Sequence, residues 1–198
     1  MRRFGWYSLG LTLLATPLAA QTAIPPELEA LKEPRITQRP AESMLVVEAI
    51  GDPAIMGGQA FGLLFQLYYR VPSTPKGPQQ AAPRARWPVD LEQPRSEWIG
   101  LYALPVPEAV TELPAHTASP GFEAKLATWE YGDVAEILHV GPYDREQPTV
   151  ERLKRLVEAQ GFTLVAGHEE EYIRGPTMFG PGDPEQYLTI LRYRIERQ

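Results

Sequence analysis

The sequence predicts an α+β fold made of two β-α-β-β units with pseudo-twofold symmetry, antiparallel sheets and a cleft between the repeats. Displacing the chain by 90 residues superposes one stretch on another without a gap, so that Met44 falls on Val134 and Gly51 on Gly141. Each copy then has the pattern of a strand, a glycine-containing turn, a helix and two strands. One β-α-β-β unit leaves a sheet face uncovered, so two units bury those faces together or leave a cleft, where small-molecule sites tend to form.

The composition agrees with one folded domain or two fused small ones. Of the 198 residues, 43% are hydrophobic, which is enough to build a core. The chain has no cysteine, which excludes disulfides, thiolate metal sites and a cysteine nucleophile. Its formal net charge of -6 argues against a nucleic-acid partner, because phosphate contacts need clustered Lys and Arg. Neutral or cationic partners suit this charge better.

Residues 1–20 have the pattern of a signal peptide. A basic start at Arg2 and Arg3 precedes an apolar stretch, and Ala19 and Ala20 supply a small-residue cleavage site. The apolar stretch is shorter than the ~20 residues of a spanning helix, although an uncleaved anchor is the alternative. This pattern predicts a periplasmic or secreted protein with no stable membrane association after cleavage.

The mature chain divides into a linker and one folded domain. Prolines 25, 26 and 34 indicate a linker over residues 21–35, with one helical turn inside it. The domain is predicted over residues 36–198, with the first repeat at about 36–107 and the second at about 122–198.

In the first repeat, a β-branched run at residues 44–50 predicts a strand. Asp52 as the N-cap and Pro53 at the first helical position predict a helix that continues to about residue 69. Further strands are expected near residues 84–91 and 98–104.

The second repeat has the same order of elements. Alternating runs at residues 122–131 and 134–140, joined by Gly132-Asp133, indicate a β-hairpin. A one-sided helix is expected from Pro148 to residue 160, followed by strands at about 163–174 and 187–195.

Three consecutive glutamates, Glu169 to Glu171, stand inside the strand predicted at residues 163–174. Because side chains alternate between faces, Glu170 shares a face with His168 and Tyr172, and the two flanking glutamates share the other face. If water covers the first face, the run is a solvated edge. If a cavity covers it, Glu170 is placed to bind a cation.

The stretch from residue 127 to 195 resembles the GyrI-like family, the effector-binding domains of multidrug-responsive regulators and their stand-alone relatives. The likeness is carried by Tyr131-Gly132-Asp133, by His139-Val140-Gly141-Pro142-Tyr143 and by Glu170-Glu171-Tyr172, while residues 36–69 resemble the family's first repeat. The resemblance implies the duplicated fold inferred above. It also implies that Glu170 lies in an aromatic-lined pocket that accepts cationic, lipophilic compounds. Some stand-alone members are hydrolases of strained, cyclopropane-containing toxins, and use a glutamate and a tyrosine.

These expectations define a candidate site and three candidate functions. The predicted ligand-binding residues are Glu170, Tyr172, Tyr143, Trp98 and Tyr102, with ring faces available for cation–π contacts. The first function is exported binding of an amphipathic, cationic small molecule. The second is hydrolysis of a reactive small molecule, with Glu170 as general base and Tyr143 beside it. The third is a scaffold protein with a vestigial pocket.

No metal site and no cofactor are expected, and no His-containing segment matches the haem-binding family with a similar fold. His139 is interpreted as a structural histidine. The predicted export, and the absence of room for a helix-turn-helix module, argue against gene regulation. The ligand's identity, the oligomeric state and the pathway stay open.

Overall fold

The computed structural model describes residues 23–88, 94–117, 119–165, 167–176 and 180–198. The predicted signal peptide lies outside the described residues, as does the end of the strand predicted at residues 84–91. Over the described residues the chain has a mixed α+β fold, as predicted, in which two α-helices pack on a nine-stranded antiparallel sheet. No described helix is both long and apolar enough to cross a membrane.

The helices are α1 (Pro53–Tyr68) and α2 (Gln147–Ala159). The strands are β1 (Arg35–Arg39), β2 (Glu42–Ile50), β3 (Arg84–Trp87), β4 (Ile99–Pro105), β5 (Phe122–Trp129), β6 (Gly132–Val140), β7 (Phe162–Leu164), β8 (His168–Arg174) and β9 (Leu188–Arg197). Short 3-10 helices occur at Pro26–Lys32, Gly77–Gln79, Arg95–Glu97, Tyr143–Arg145 and Pro184–Gln186.

The sheet topology shows the duplication. Its strand order is β1-β6-β9-β8-β3-β4-β2-β5, with β7 paired to β9 outside this path. The bounds of β2 and β6 differ by 90 residues at both ends, which is the displacement that superposes the sequence on itself. From the central β8-β3 pair, one half of the sheet runs outwards through β8, β9 and β6 of the second repeat and ends on β1 of the first repeat. The other half runs through β3, β4 and β2 of the first repeat and ends on β5 of the second. The two repeats are therefore joined both at the centre and by exchanged outer strands.

The predicted hairpin between β5 and β6 is wrong. β5 pairs with β2, whereas β6 pairs with β1 and β9, and Gly132-Asp133 begins β6 instead of forming a turn. The β1-β6 and β2-β5 pairings have the same register, since Arg39 lies opposite Gly132 and Glu42 lies opposite Trp129. The strands β1-β2 and β5-β6 thus form one long two-stranded ribbon. Pairing with the other repeat satisfies the backbone groups that a local hairpin would have used.

Each helix covers the sheet of its own repeat. As predicted, the Asp52 side chain caps α1, accepting a hydrogen bond from the Ala54 amide at 2.9 Å. Leu64 and Leu67 of α1 pack on β2 and β4 despite the glycines in this helix. In α2 a single stripe that includes Leu153 and Val157 packs on β6 and β9. Each repeat is therefore stabilised by its own hydrophobic core, which lies between its helix and the sheet.

Residues 26–32 are not a free linker. They form a 3-10 helix whose Leu28 and Leu31 are buried against Leu138, Leu188 and Ile190 of the second repeat. Two leucines at a spacing of three residues fall on one side of a 3-10 helix. Burying that side removes apolar surface from water, so packing begins ahead of the domain start predicted at residue 36.

Candidate functional site

Glu170 lies inside the sheet, on a strand that has neighbours on both sides. β8 pairs with β9 and with β3, placing Glu170 opposite Leu191 and Ala85. The strand predicted at residues 163–174 is interrupted, because Gly167 has a φ of +87° that side-chain-bearing residues rarely adopt. The glutamate run is not a solvated edge, since His168, Glu169 and Glu170 are all less than a tenth exposed.

Three donors converge on the Glu170 carboxylate. Its Oε1 lies 2.7 Å from the indole nitrogen of Trp87 and 3.1 Å from His168 Nε2, and its Oε2 accepts a 2.8 Å hydrogen bond from the Tyr172 hydroxyl. Two of these partners come from the same face of β8, as the alternation of side chains predicts. Trp87 reaches the carboxylate from the neighbouring strand β3. The buried carboxylate is therefore well supplied with donors.

A group of aromatic rings surrounds this carboxylate. Tyr172 makes edge contacts with Tyr143 at 5.4 Å and with Phe61 at 5.7 Å between ring centroids. Phe61 in turn contacts Tyr102 at 4.9 Å, and Trp87 contacts Tyr102 at 5.8 Å. Trp98 lies 5.9 Å from Trp87. These six rings come from both repeats, and edge-to-face packing at such separations is favourable.

Two glycines give the rings room. A Cβ on Gly100 would lie 2.7 Å from the ring of Tyr102 and 3.0 Å from that of Trp87. A Cβ on Gly175 would lie 2.5 Å from the Tyr143 hydroxyl. Side chains at these positions would therefore displace rings that line the site.

Glu170 and His168 shift the pKa of each other in opposite directions. Burial raises the pKa of Glu170, but the hydrogen bond and positive charge of His168, with the donors Tyr172 and Trp87, outweigh burial and hold the pKa below its usual range. Burial lowers the pKa of His168, yet Glu170 and Glu146 outweigh it, so that pKa is raised. Burial first, and then the Glu170 charge, raise the pKa of Tyr102 to about 12. Glu170 and His168 thus each favour the charged form of the other.

A second carboxylate, Glu146, reaches the same cluster from the start of α2. Its Oε1 lies 3.9 Å from His168 Nε2. Glu146 occupies the N-cap position of α2, yet its side chain makes no capping hydrogen bond. Burial and the nearby Glu170 raise the pKa of Glu146 to about 7, against a smaller opposite effect of His168.

Among the described residues, Glu146, His168 and Glu170 are the group whose ligand atoms are close enough to hold a metal ion, all within 4.8 Å of one another. The nitrogen that a metal would take, His168 Nε2, is instead at hydrogen-bond distance from Glu170, whose Oε1 also accepts from Trp87. The contacts are those of a hydrogen-bonded cluster, and the absence of a metal stays a prediction.

The opposite face of β8 carries a buried ion-pair network. Arg192, which is 2% exposed, donates to Glu136, Glu169 and Glu171. Arg86 donates to Glu169 at 2.8 Å and stacks over the ring of Trp129. The flanking glutamates are thus paired with arginines, which leaves Glu170 as the carboxylate of this run that faces the aromatic side.

The structure brings the five residues predicted for ligand binding into one neighbourhood. Tyr172 touches Glu170 directly, Tyr143 and Tyr102 join through ring contacts, and Trp98 is a more distant member that contacts Trp87. Both ring nitrogens of His139 have partners, at 3.0 Å from Thr149 Oγ1 and 3.1 Å from the Pro142 carbonyl, and its structural role stays an interpretation. These contacts hold the loop that carries Tyr143.

Sequence reasoning missed four members of the site. They are Trp87, His168 as a charge partner, Glu146 and Phe61. The alternation along β8 placed His168 on the face of Glu170, but it did not show that the imidazole contacts the carboxylate. Nothing in the sequence placed Trp87 or Glu146 beside Glu170, because they lie on separate elements.

A cavity of about 180 Å³ lies at the junction of the repeats, next to this cluster. It is lined from the first repeat by Arg86, Trp87, Pro88 and Leu101, and from the second by Tyr131, Gly167, His168, Glu169, Arg192 and Arg194. The aromatic side of Glu170 is closed, since the rings contact one another and the Glu170 side chain is 10% exposed.

No protein-family model and no curated protein matches the sequence. Solved structures do share the fold. An uncharacterized conserved protein from Listeria innocua has a TM-score of 0.66 and 22% identity, covering 83% of this chain and 93% of its own. A hydrolase from Listeria innocua has a TM-score of 0.66 and 20% identity, with coverages of 83% and 92%. The EcmrR C-terminal domain has a TM-score of 0.61 and 14% identity, with coverages of 84% and 98%. At such identities the likeness is one of fold, and this chain has the fold of these three proteins.

Proposed function

We propose that this chain is an exported small-molecule-binding protein of the GyrI-like type, which holds an amphipathic, cationic compound beside Glu170. The observation that carries the proposal is a buried carboxylate packed among aromatic rings from both repeats. Its apolar surroundings suit the body of a lipophilic ligand, and each ring face adds about 0.5 to 2 kcal/mol of cation–π attraction. The carboxylate supplies the charge that selects a cation.

The occupant reaches Glu170 by displacing rings. Tyr102 and Trp87 are buried, whereas Tyr143, Tyr172 and Phe61 are partly exposed, so these three are the rings that an occupant would move. Tyr143 and Phe61 come from different repeats, so their separation opens the site between the two helices. The occupant then replaces ring-to-ring contacts with contacts to itself.

Thermal unfolding in the presence of a panel of lipophilic cations tests this proposal. A cation at 100 times its dissociation constant stabilises the native protein by about 2.7 kcal/mol. We expect Glu170→Gln to lose this ligand-induced shift. Glu158→Gln, the same change at an exposed residue of α2, should keep it. If no cation shifts the native protein, or if the three proteins respond alike, Glu170 is not the anchor of a cation site.

A second candidate, hydrolysis of a reactive small molecule, is favoured by the Tyr172 hydroxyl on Glu170 Oε2 and by the hydrolase among the proteins of this fold. Glu170 would act as general base on water, a role that needs the carboxylate within hydrogen-bond reach of that water. Incubation with a strained cyclopropane electrophile, followed by mass spectrometry, distinguishes the two functions. A product heavier by one water, formed by the native protein and not by Glu170→Gln, identifies an enzyme. Recovery of unchanged ligand identifies a binder.

Export is tested by the N-terminus of the mature protein. A cleaved signal peptide predicts a periplasmic or secreted chain that starts at Gln21, which mass spectrometry of the purified protein reports. Retention of Met1 in the membrane fraction would indicate the uncleaved anchor.

A further inference from the structure

Glu146 presents an acceptor atom that the folded chain leaves without a donor. Its Oε2 is buried and has no hydrogen-bond partner among the described residues, although 21% of the side chain as a whole is exposed. A buried carboxylate oxygen without a donor is costly, because folding removes its water without replacing it. A small molecule that binds beside the exposed part of this side chain can supply the missing donor.

The carboxylate oxygens of Glu170, in contrast, both have hydrogen-bond donors. Three donors already reach its two oxygens, from Trp87, His168 and Tyr172. The two carboxylates therefore have different roles in the site. Glu170 organises the rings and the imidazole, and Glu146 offers the unused acceptor.

The positions of the two carboxylates limit what can bind both. An oxygen of Glu146, an oxygen of Glu170 and a ring nitrogen of His168 all lie within 4.8 Å of one another. A cationic nitrogen forms hydrogen bonds to carboxylate oxygens at about 2.7–2.9 Å. One nitrogen placed between the two carboxylates can therefore reach an oxygen of each. The other charged or titratable groups that interact with the cluster include Lys154 of α2, Tyr193 of β9, and the tyrosines Tyr102, Tyr143 and Tyr172.

We propose that Glu146 is a second anchoring carboxylate, and that the occupant carries an N–H donor on its cationic centre, as a protonated amine does. This inference rests on the proposed function and narrows its ligand class. A quaternary ammonium or phosphonium centre has no hydrogen to donate, so it gains the coulombic and cation–π attraction only. A protonated amine satisfies the buried oxygen as well.

A matched pair of probes tests this: 1-naphthylmethylamine and its N,N,N-trimethyl quaternary analogue, which share the ring system and the charge. Titration calorimetry measures each against the native protein, Glu146→Gln, Glu158→Gln and Glu170→Gln. We expect the native protein to bind the amine about tenfold more tightly than the quaternary probe, a difference of about 1.4 kcal/mol, because only the amine can donate a hydrogen bond to the Glu146 carboxylate. In Glu146→Gln, we expect amine affinity to fall about tenfold and quaternary affinity to change less than twofold. Glu158→Gln should leave both unchanged.

The probe pair also tests the inference on the native protein alone, without any variant. Equal affinities of the two probes, or tighter binding of the quaternary probe, overturn the inference. So does a preference for the amine that survives in Glu146→Gln. If Glu170→Gln abolishes binding of both probes while Glu146→Gln changes neither, the cation site stands and the role of Glu146 is refuted. If neither probe binds the native protein, the inference fails together with the proposed function.

Discussion

Replacing Arg192 with methionine tests how much the buried ion-pair network on the face of β8 opposite Glu170 stabilises the fold. Arg192 donates to three carboxylates, and two of them keep other donors: Glu136 retains Arg35 at 2.6 Å and Glu169 retains Arg86 at 2.8 Å. Among the described residues Glu171 keeps Arg84 at 3.5 Å, beyond a good hydrogen bond. Removing one partner of a buried ion pair costs about 3–5 kcal/mol, and the retained donors favour the lower end of that range.

Urea denaturation followed by tryptophan fluorescence measures this loss in the free energy of unfolding. Arg194→Met is the control, because Arg194 lies two residues along the same strand but is exposed, and such surface changes cost within about 0.5 kcal/mol. A loss below about 1 kcal/mol for Arg192→Met, or an equal loss for Arg194→Met, would refute the reasoning.

The pH dependence of that loss provides a second check. Burial raises the pKa of Glu136, but Arg192 and Arg35 outweigh burial and hold the pKa below its ordinary value of 4.5. A carboxylate whose folded-state pKa is lowered stabilises the native protein above its unfolded pKa, and this contribution is lost as the pH falls through the folded value. The difference between native protein and Arg192→Met should therefore shrink as the pH falls below about 4.5.

Three further predictions concern the aromatic side of β8. Trp87→Phe removes the donor 2.7 Å from Glu170, and we expect urea denaturation to show a loss of about 1.5–3 kcal/mol at pH 7, whereas unchanged stability would contradict the hydrogen bond's role. Gly100→Ala crowds two rings and should cost about 1–3 kcal/mol in the same assay. The control Gly58→Ala, in α1 with nothing within 4 Å, should be neutral or stabilising by up to about 1 kcal/mol. Burial raises the folded-state pKa of Glu146 to about 7, so this group destabilises the native protein increasingly as the pH rises from 4.5 to 7. The fall in stability over that window should be smaller in Glu146→Gln, and an identical pH profile would contradict the assignment.

Much of the fold was predictable because its signals are local or repetitive. The Asp52-Pro53 start of α1 and the one-sided pattern of α2 follow from capping and periodicity within each segment. The displacement of 90 residues identified the duplication, and β2 and β6 repeat it at both ends. The prediction of a β5–β6 hairpin failed because turn chemistry competes with distant strands, and pairing with the other repeat prevailed.

The candidate site was predictable in part for the same reason. Alternation along β8 placed His168, Glu170 and Tyr172 on one face, and the structure shows them hydrogen-bonded together. The same alternation put Glu169 on the other face, but the sequence did not show that this face is buried too. Arginines from β3 and β9 compensate that charge.

The sequence by itself determined the units: two copies of one strand-helix-strand-strand pattern, and a strand whose central carboxylate shares a face with an aromatic residue. These follow from the geometry of the backbone, since side-chain direction repeats every two residues in a strand and every 3.6 in a helix. Tertiary structure alone decided which groups meet that carboxylate. Trp87 and Glu146 are separated from Glu170 by 83 and by 24 positions, and they reach the site through strand pairing and through the docking of α2. Contacts of this kind depend on register and packing across the whole sheet, which no local pattern encodes.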